Sequence, residues 1–273
     1  MLYGAILGDI IGSTREFKNE KSEDIILFPK ESRFTDDSVM TIAVAQKLIN
    51  NDKSTYSSKK SYAMWFKQYY NKFRNAGYGH MFSKWAESDD LFIQRSYGNG
   101  AAMRVTAIAY ACSDLKQLYK EVEHSCYYTH NNHEAKKGAK AIATAVFMAN
   151  KNEDKDSIKQ FIEKKFKYQF VPLDEIRQEY EFNSRTSYCI PPALEAFFES
   201  NSYESAIRKA ISIGGDSDTI ACITGGIAQA YYKEIPENIM SEGSRFIDIG
   251  FKKVIKEFDE KFGYDSVLRF STK

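Results

Sequence analysis

Two acidic clusters, far apart along the chain, carry the residue types best suited to chemistry. One is Phe34-Thr35-Asp36-Asp37-Ser38-Val39-Met40-Thr41; the other is Gly214-Gly215-Asp216-Ser217-Asp218-Thr219-Ile220-Ala221. Each lies directly ahead of an apolar run. Helix capping is one role open to them, because Asp, Ser and Thr oxygens accept hydrogen bonds from the free amides of a helix start and suit its dipole. Capping needs one side chain, however, and each cluster packs three or four oxygen donors together. Carboxylates with threonine hydroxyls are hard donors, matched to Mg²⁺, Ca²⁺ or Mn²⁺ and poorly matched to zinc. If the two helix starts meet, six oxygen donors would hold a pair of divalent ions. Ions about 3.5–4 Å apart polarise a substrate oxygen and generate a hydroxide nucleophile together. Gly214 and Gly215 let the second loop turn tightly beneath such a site.

Three further segments qualify as candidates. Ser96-Tyr97-Gly98-Asn99-Gly100-Ala101-Ala102-Met103-Arg104 is a Gly-x-Gly loop opening a helix, which either aims amides at an anion such as a diphosphate or is a plain capped turn. No strand precedes it, which counts against a Rossmann site. Thr129-His130-Asn131-Asn132-His133-Glu134-Ala135 also starts a helix. Cys126, His130 and His133 lack a fourth zinc ligand, so a neutral histidine bonding a ligand phosphate or hydroxyl competes with a simple helix cap. Glu16, with Ser13 and Arg15, follows a first helix bared on one face by Gly4, Gly8 and Gly12; it matters only if that helix end borders the metal site. His80 and His124 have no supporting neighbours.

The elements that must position these residues are helical. Apolar periodicity marks helices after Ser38, over Ala101 to Cys112, from Leu115, over His133 to Ala149, Tyr203 to Ile213, Asp218 to Tyr232 and Glu242 to Phe258. Pro191 and Pro192 suit the first turn of a helix running toward Ser200. Strand-like alternation is nearly absent. Segments 51–61 and 150–157 are polar and are expected to be loops. The every-fourth-residue glycines predict close helix packing. With no linker composition to divide it, the 273-residue chain reads as one compact, all-α domain, 1–273.

Composition bounds the partners. Hydrophobic residues make up 43% and charged residues 27%, and 38 Lys and Arg against 37 Asp and Glu leave a net charge of +1. That lacks the electrostatic footprint of non-specific nucleic-acid binding. No apolar run reaches membrane-spanning length, and the N-terminal run lacks a basic region and contains Asp9. Cys112, Cys126, Cys189 and Cys222 are scattered, as reduced structural thiols of a cytoplasmic protein are.

Taken together, these segments resemble the ADP-ribosylglycohydrolase family, in the family's order and over nearly the whole chain. GAILGDIIGS resembles its N-terminal helix, FTDDSVMT its first metal motif, SYGNGAAMR its glycine loop, THNNHEA its histidine segment and IGGDSDTIACITGGIAQA its second metal motif. The resemblance implies an all-α fold with two Mg²⁺ ions (Mn²⁺ substituting) at the bottom of an ADP-ribose cleft. It implies metal ligation by Thr35, Asp36, Asp37, Asp216, Asp218 and Thr219, a diphosphate path along Gly98, Asn99 and Gly100, and contact of His130 with ADP-ribose. Glu16 stands where some members place a catalytic glutamate, with Asp36 the alternative acid or base; Arg15 replaces an expected aromatic, and His133 has no implied role. The implied reaction is hydrolysis of the glycosidic bond between ADP-ribose and a protein side chain or small conjugate. A non-catalytic ADP-ribose reader and a binuclear-metal phosphoester hydrolase are the rivals. Segment 77–95, with Tyr78, Met81, Phe82, Trp85, Asp89 and Asp90, and segment 166–190, rich in Tyr and Phe, are expected to shape the cleft rim.

Overall fold

The most closely packed element pair is set by three glycines. In a computed structural model describing residues 1–51 and 56–264, α1 (Tyr3–Gly12) lies along α12 (Ser217–Tyr232). A Cβ on Gly4, Gly8 or Gly12 would overlap the backbone of Gly225, Ala221 or Ser217 respectively. One bare face therefore brings the two backbones together. Both helices end beside the same cleft: α1 by its C-terminus, α12 by its N-terminus.

The other helices pack around this pair. They are α2 (Asp36–Ile49), α3 (Ser58–Lys72), α4 (His80–Glu87), α5 (Thr106–Ala111), α6 (Leu115–Cys126), α7 (His133–Asn150), α8 (Lys155–Phe166), α9 (Leu173–Glu179), α10 (Thr186–Phe198), α11 (Tyr203–Ile211), α13 (Glu237–Gly243) and α14 (Ile249–Phe262). No strand occurs among the described residues, as expected of an all-α fold. Ile6, Ile10, Val39, Ile42, Ile108, Ile142, Ile220 and Ile227 are without solvent exposure, so one core runs through α1, α2, α5, α7 and α12. Ala139, Ala143 and Val146 of α7 belong to it, matching the predicted inward face. No described helix is long and apolar enough to cross a membrane. All four cysteines are free and buried.

Several element boundaries differ from expectation. Ala101 to Cys112 is not one helix: a 3₁₀ turn over Asn99–Ala101 and a turn precede α5. Pro191 and Pro192 sit inside α10, not in its first turn, because the helix begins at Thr186. Its opening amides find partners outside the helix: Thr186 N donates to Tyr97 O at 3.0 Å and Ser187 N to Glu134 Oε1 at 3.0 Å. Glu242 to Phe258 divides between α13, a 3₁₀ turn over Ser244–Phe246 and α14, whose start is capped by Asp248. The expected loop 51–61 includes residues 52–55, outside the described ones, and gives way to α3 at Ser58. The loop 150–157 is shorter than expected, since Asp154 caps α8 through Ser157 N.

Candidate active site

The two acidic clusters meet. Thr219 Oγ1, in the first turn of α12, donates to Asp37 Oδ2, in the first turn of α2, at 3.1 Å. Capping accounts for only part of either cluster. Thr35 caps α2, accepting from Asp37 N at 3.3 Å. Asp216 occupies the cap position of α12 but makes no side-chain cap bond there; its Oδ2 accepts instead from Asn99 Nδ2 at 2.8 Å. Asp216 therefore spends its carboxylate on the cleft, while Asp218 Oδ1 accepts from Thr219 N at 2.9 Å. Gly214 and Gly215 both take positive φ, 79° and 67°, which supplies the tight turn beneath it. Asn19 Oδ1 holds that turn by accepting from Gly215 N at 3.1 Å.

Asp9 is the residue that sequence reasoning missed. Fully buried on α1, it accepts from Thr35 N at 2.9 Å, Thr35 Oγ1 at 2.7 Å, Ser38 N at 3.1 Å and Ser38 Oγ. With four donors on one carboxylate, Asp9 ties α1 to the first acidic loop. Because the Thr35 hydroxyl proton is directed at Asp9, its oxygen keeps one lone pair beyond that accepting from Asp37 N. The only sequence signal was an acid inside an apolar run.

Glu16 does border the site. Its carboxylate oxygens approach those of Asp216 and Asp218 to within 4.8 Å, and Asp9, Asp37 and Asp218 form a second group of the same size. Asp218 is common to both. Arg15, which stands where an aromatic was expected, turns away and pins the chain: it donates to Ile11 O at 2.9 Å and to Ile26 O at 2.5 Å.

Crowding of buried carboxylates sets the electrostatics. Burial and then the mutual repulsion with Asp218 and Asp9 push Asp36 and Asp37 well above the usual carboxylate range; Asp218 is raised by burial and Asp216. Burial raises Asp216 to about 6 and Glu16 to about 7, the latter opposed by Arg33. Asp37 Oδ1 is buried with no hydrogen-bond partner. Such an atom is costly unless something positive faces it. Hard oxygen donors, repelling charges and an orphaned carboxylate oxygen fit one or two hard divalent cations.

Glu16, Asp36, Asp37, Asp216, Asp218 and Thr219 floor a cleft of about 420 Å³, lined also by Gly98, Asn99, Gly100, Thr129, His130 and Phe182. That volume suits a nucleotide-sized ligand. Isolated β-bridges, Arg95 with His130 and Gly98 with Arg185, knit the walls. The glycine loop departs from a simple amide cradle, because Gly98 N already donates to Ser96 Oγ (3.1 Å) and Asn99 N to Ser184 O (2.8 Å). His130 is buried with Nδ1 2.8 Å from Thr129 Oγ1, and burial, then Arg104, holds its pKa well below the usual value.

The rim is only partly as expected. From 77–95, Gly77, Gly79, His80, Met81, Phe82 and Gln94 line the cleft, so His80 has a place there that its sequence context did not suggest. Trp85 is fully buried, donating Nε1 to Phe92 O at 3.0 Å. From 166–190, Phe182 and Ser184 line it; Tyr180 and Tyr188 stack on each other at 4.5 Å. Phe182 also packs on exposed Phe17, 5.3 Å between centroids, beside Glu16. His133 is exposed, and His124 pairs with Glu121 at 3.2 Å.

Fold and site thus define an all-α protein whose ligand cleft ends in a carboxylate cluster suited to divalent cations. Comparison with known proteins gives the family. The ADP-ribosylglycohydrolase family model matches residues 1–261, and the chain belongs to that family. It is 27% identical to human "ADP-ribosylhydrolase ARH3" over 87% of this chain and 86% of the relative. The mouse protein of that name is 26% identical, with 95% and 91% covered. "ADP-ribosylarginine hydrolase Tri1" of Pseudomonas putida is 24% identical, with 85% and 69% covered. A solved "ADP-ribosylglycohydrolase-related protein complex" chain superposes with a TM-score of 0.69 at 19% identity, covering 94% of this chain and 93% of that one, which supports the fold. Family membership makes this chain a hydrolase of ADP-ribose linkages.

Proposed function

We propose that the protein is a magnesium-dependent ADP-ribosylglycohydrolase, active on an ADP-ribosylated protein side chain or a small ADP-ribose conjugate. The observation that carries this reading is the meeting of two helix starts around buried carboxylates, with Asp37 Oδ1 left without a partner. Thr35, Asp36, Asp37, Asp216, Asp218 and Thr219 would hold two Mg²⁺ ions, for which Mn²⁺ can substitute. Bound there, the ions supply Lewis acidity toward ribose oxygens and lower the pKa of water.

The chain's own residues do the rest. Gly98, Asn99 and Gly100 line the diphosphate path, and His130 contacts the bound ADP-ribose. Within the loop, the Asn99 side chain also orients Asp216. Glu16, at the cleft-facing end of α1, transfers the proton as acid or base, with Asp36 the alternative. Developing oxocarbenium charge at the anomeric carbon faces these carboxylates. Four buried free thiols accord with a cytoplasmic setting, and residues 1–273 are taken as one catalytic domain.

The test is an assay for released ADP-ribose across defined conjugates of arginine, serine and acetate, with Mg²⁺ or with EDTA. Release that requires Mg²⁺ supports the reading. Tight ADP-ribose binding without release from any conjugate would identify a reader instead. Phosphate release with the glycosidic bond intact would identify a phosphoester hydrolase.

A further inference from the structure

Behind the glycine loop, two side chains that the reaction above does not use, Arg104 and Thr129, form a hydrogen-bonded chain ending on His130. Arg104 has no solvent exposure, and its guanidinium lies 4.2 Å from the ring centre of Phe66. Its Nη2 donates to Ser125 O at 3.0 Å and to Thr129 Oγ1 at 2.9 Å. Thr129 Oγ1 stands 2.8 Å from His130 Nδ1.

The direction of each bond follows from donor counting. A guanidinium only donates, so Thr129 Oγ1 accepts from Arg104. The hydroxyl keeps one proton, and among the described residues His130 Nδ1 is the acceptor within its reach. If Nδ1 carried a proton, the buried Thr129 hydroxyl would be left with a proton and no acceptor, an arrangement folded proteins avoid. Nδ1 is therefore the acceptor and the imidazole proton resides on Nε2. That nitrogen faces the glycine loop, since a Cβ on Gly100 would lie 3.2 Å from it and one on Gly98 3.9 Å. Glycine at position 100 keeps the approach to Nε2 clear.

We propose that Arg104 is a positioning residue, acting through Thr129 to lock His130 as a neutral Nε2–H donor aimed at an anionic or hydroxyl oxygen of the ligand. The identity of that ligand as ADP-ribose rests on the proposed function; the tautomer does not, because it belongs to the ligand-free protein.

The experiment is long-range ¹H–¹⁵N NMR of the histidine rings in the full chain at pH 7. The chain has four histidines, and His130→Gln assigns the signal of interest. Wild type is expected to show the Nε2–H pattern. Thr129→Val should shift His130 toward the Nδ1–H form and Thr129→Ser should restore the wild-type pattern; Arg104→Met should match Thr129→Val if it folds. Titration with ADP-ribose should show dissociation constants raised about five- to tenfold in Thr129→Val and recovered in Thr129→Ser. An Nδ1–H pattern in wild type, or an unchanged pattern in Thr129→Val, overturns the proposal. The expected tautomers with no ADP-ribose binding by wild type would leave the positioning role standing and remove the proposed ligand.

Discussion

At the scale of single residues, the acidic runs were legible because their donors are contiguous: six candidate ligands fall within two stretches of three and four residues. Asp36→Asn should lower turnover about 10²–10⁴-fold and weaken Mg²⁺ binding with the fold intact by circular dichroism; normal hydrolysis by that variant would sink the assignment. Asp9 was illegible because its partners, Thr35 and Ser38, come from another helix start. Asp9→Asn turns an amide donor toward donors. It should weaken Mg²⁺ binding about 10–100-fold by loosening the first loop, measurable by calorimetry. Glu16→Gln should cut kcat about 10²–10⁴-fold with ADP-ribose affinity kept; parallel losses in both would assign Glu16 to binding.

At the scale of elements, glycine spacing predicted close packing and the structure supplied the partner, α12. Gly8→Ala puts a methyl group into the Ala221 carbonyl and should cost about 1–3 kcal/mol, lowering Tm by several degrees in a thermal melt. Since α1 and α12 both end at the site, Mg²⁺ affinity should fall with it; an unchanged Tm would mean that the helices can move apart freely. α3 escaped sequence reading because its apolar stripe (Tyr62, Ala63, Phe66, Tyr69, Tyr70) is aromatic and interleaved with Lys and Gln. The prolines of α10 misled for a related reason. Their rule concerns first-turn amides, and those amides are satisfied here by Tyr97 and Glu134 on other segments.

For the whole molecule, the carboxylate cluster links stability to pH and to cations. Its acids have folded-state pKa values raised above their unfolded ones, with Asp216 at about 6 and Glu16 at about 7. The stability this confers is fully present below the unfolded values, near about pH 4, and is lost as pH rises through about 6 to 7. Cation-free protein should therefore lose stability over that interval. Mg²⁺ favours the ionised acids, so its stabilising effect should grow from pH 5 to pH 8. Calorimetry with Mg²⁺ or EDTA at each pH checks this, and a pH-independent Mg²⁺ effect would contradict it.

The sequence by itself determined the helical class, the two oxygen-donor clusters and the glycine face, because each is a local pattern of residue type and spacing. Only the tertiary structure decided that the clusters face one another, that Asp9 holds the first of them and that Glu16 reaches the second. It also turned the Asn99 side chain toward Asp216 and set Arg104 behind His130. Those relations join residues 25 or more positions apart in the chain, and burial of one shared core brings them together where no local spacing records them.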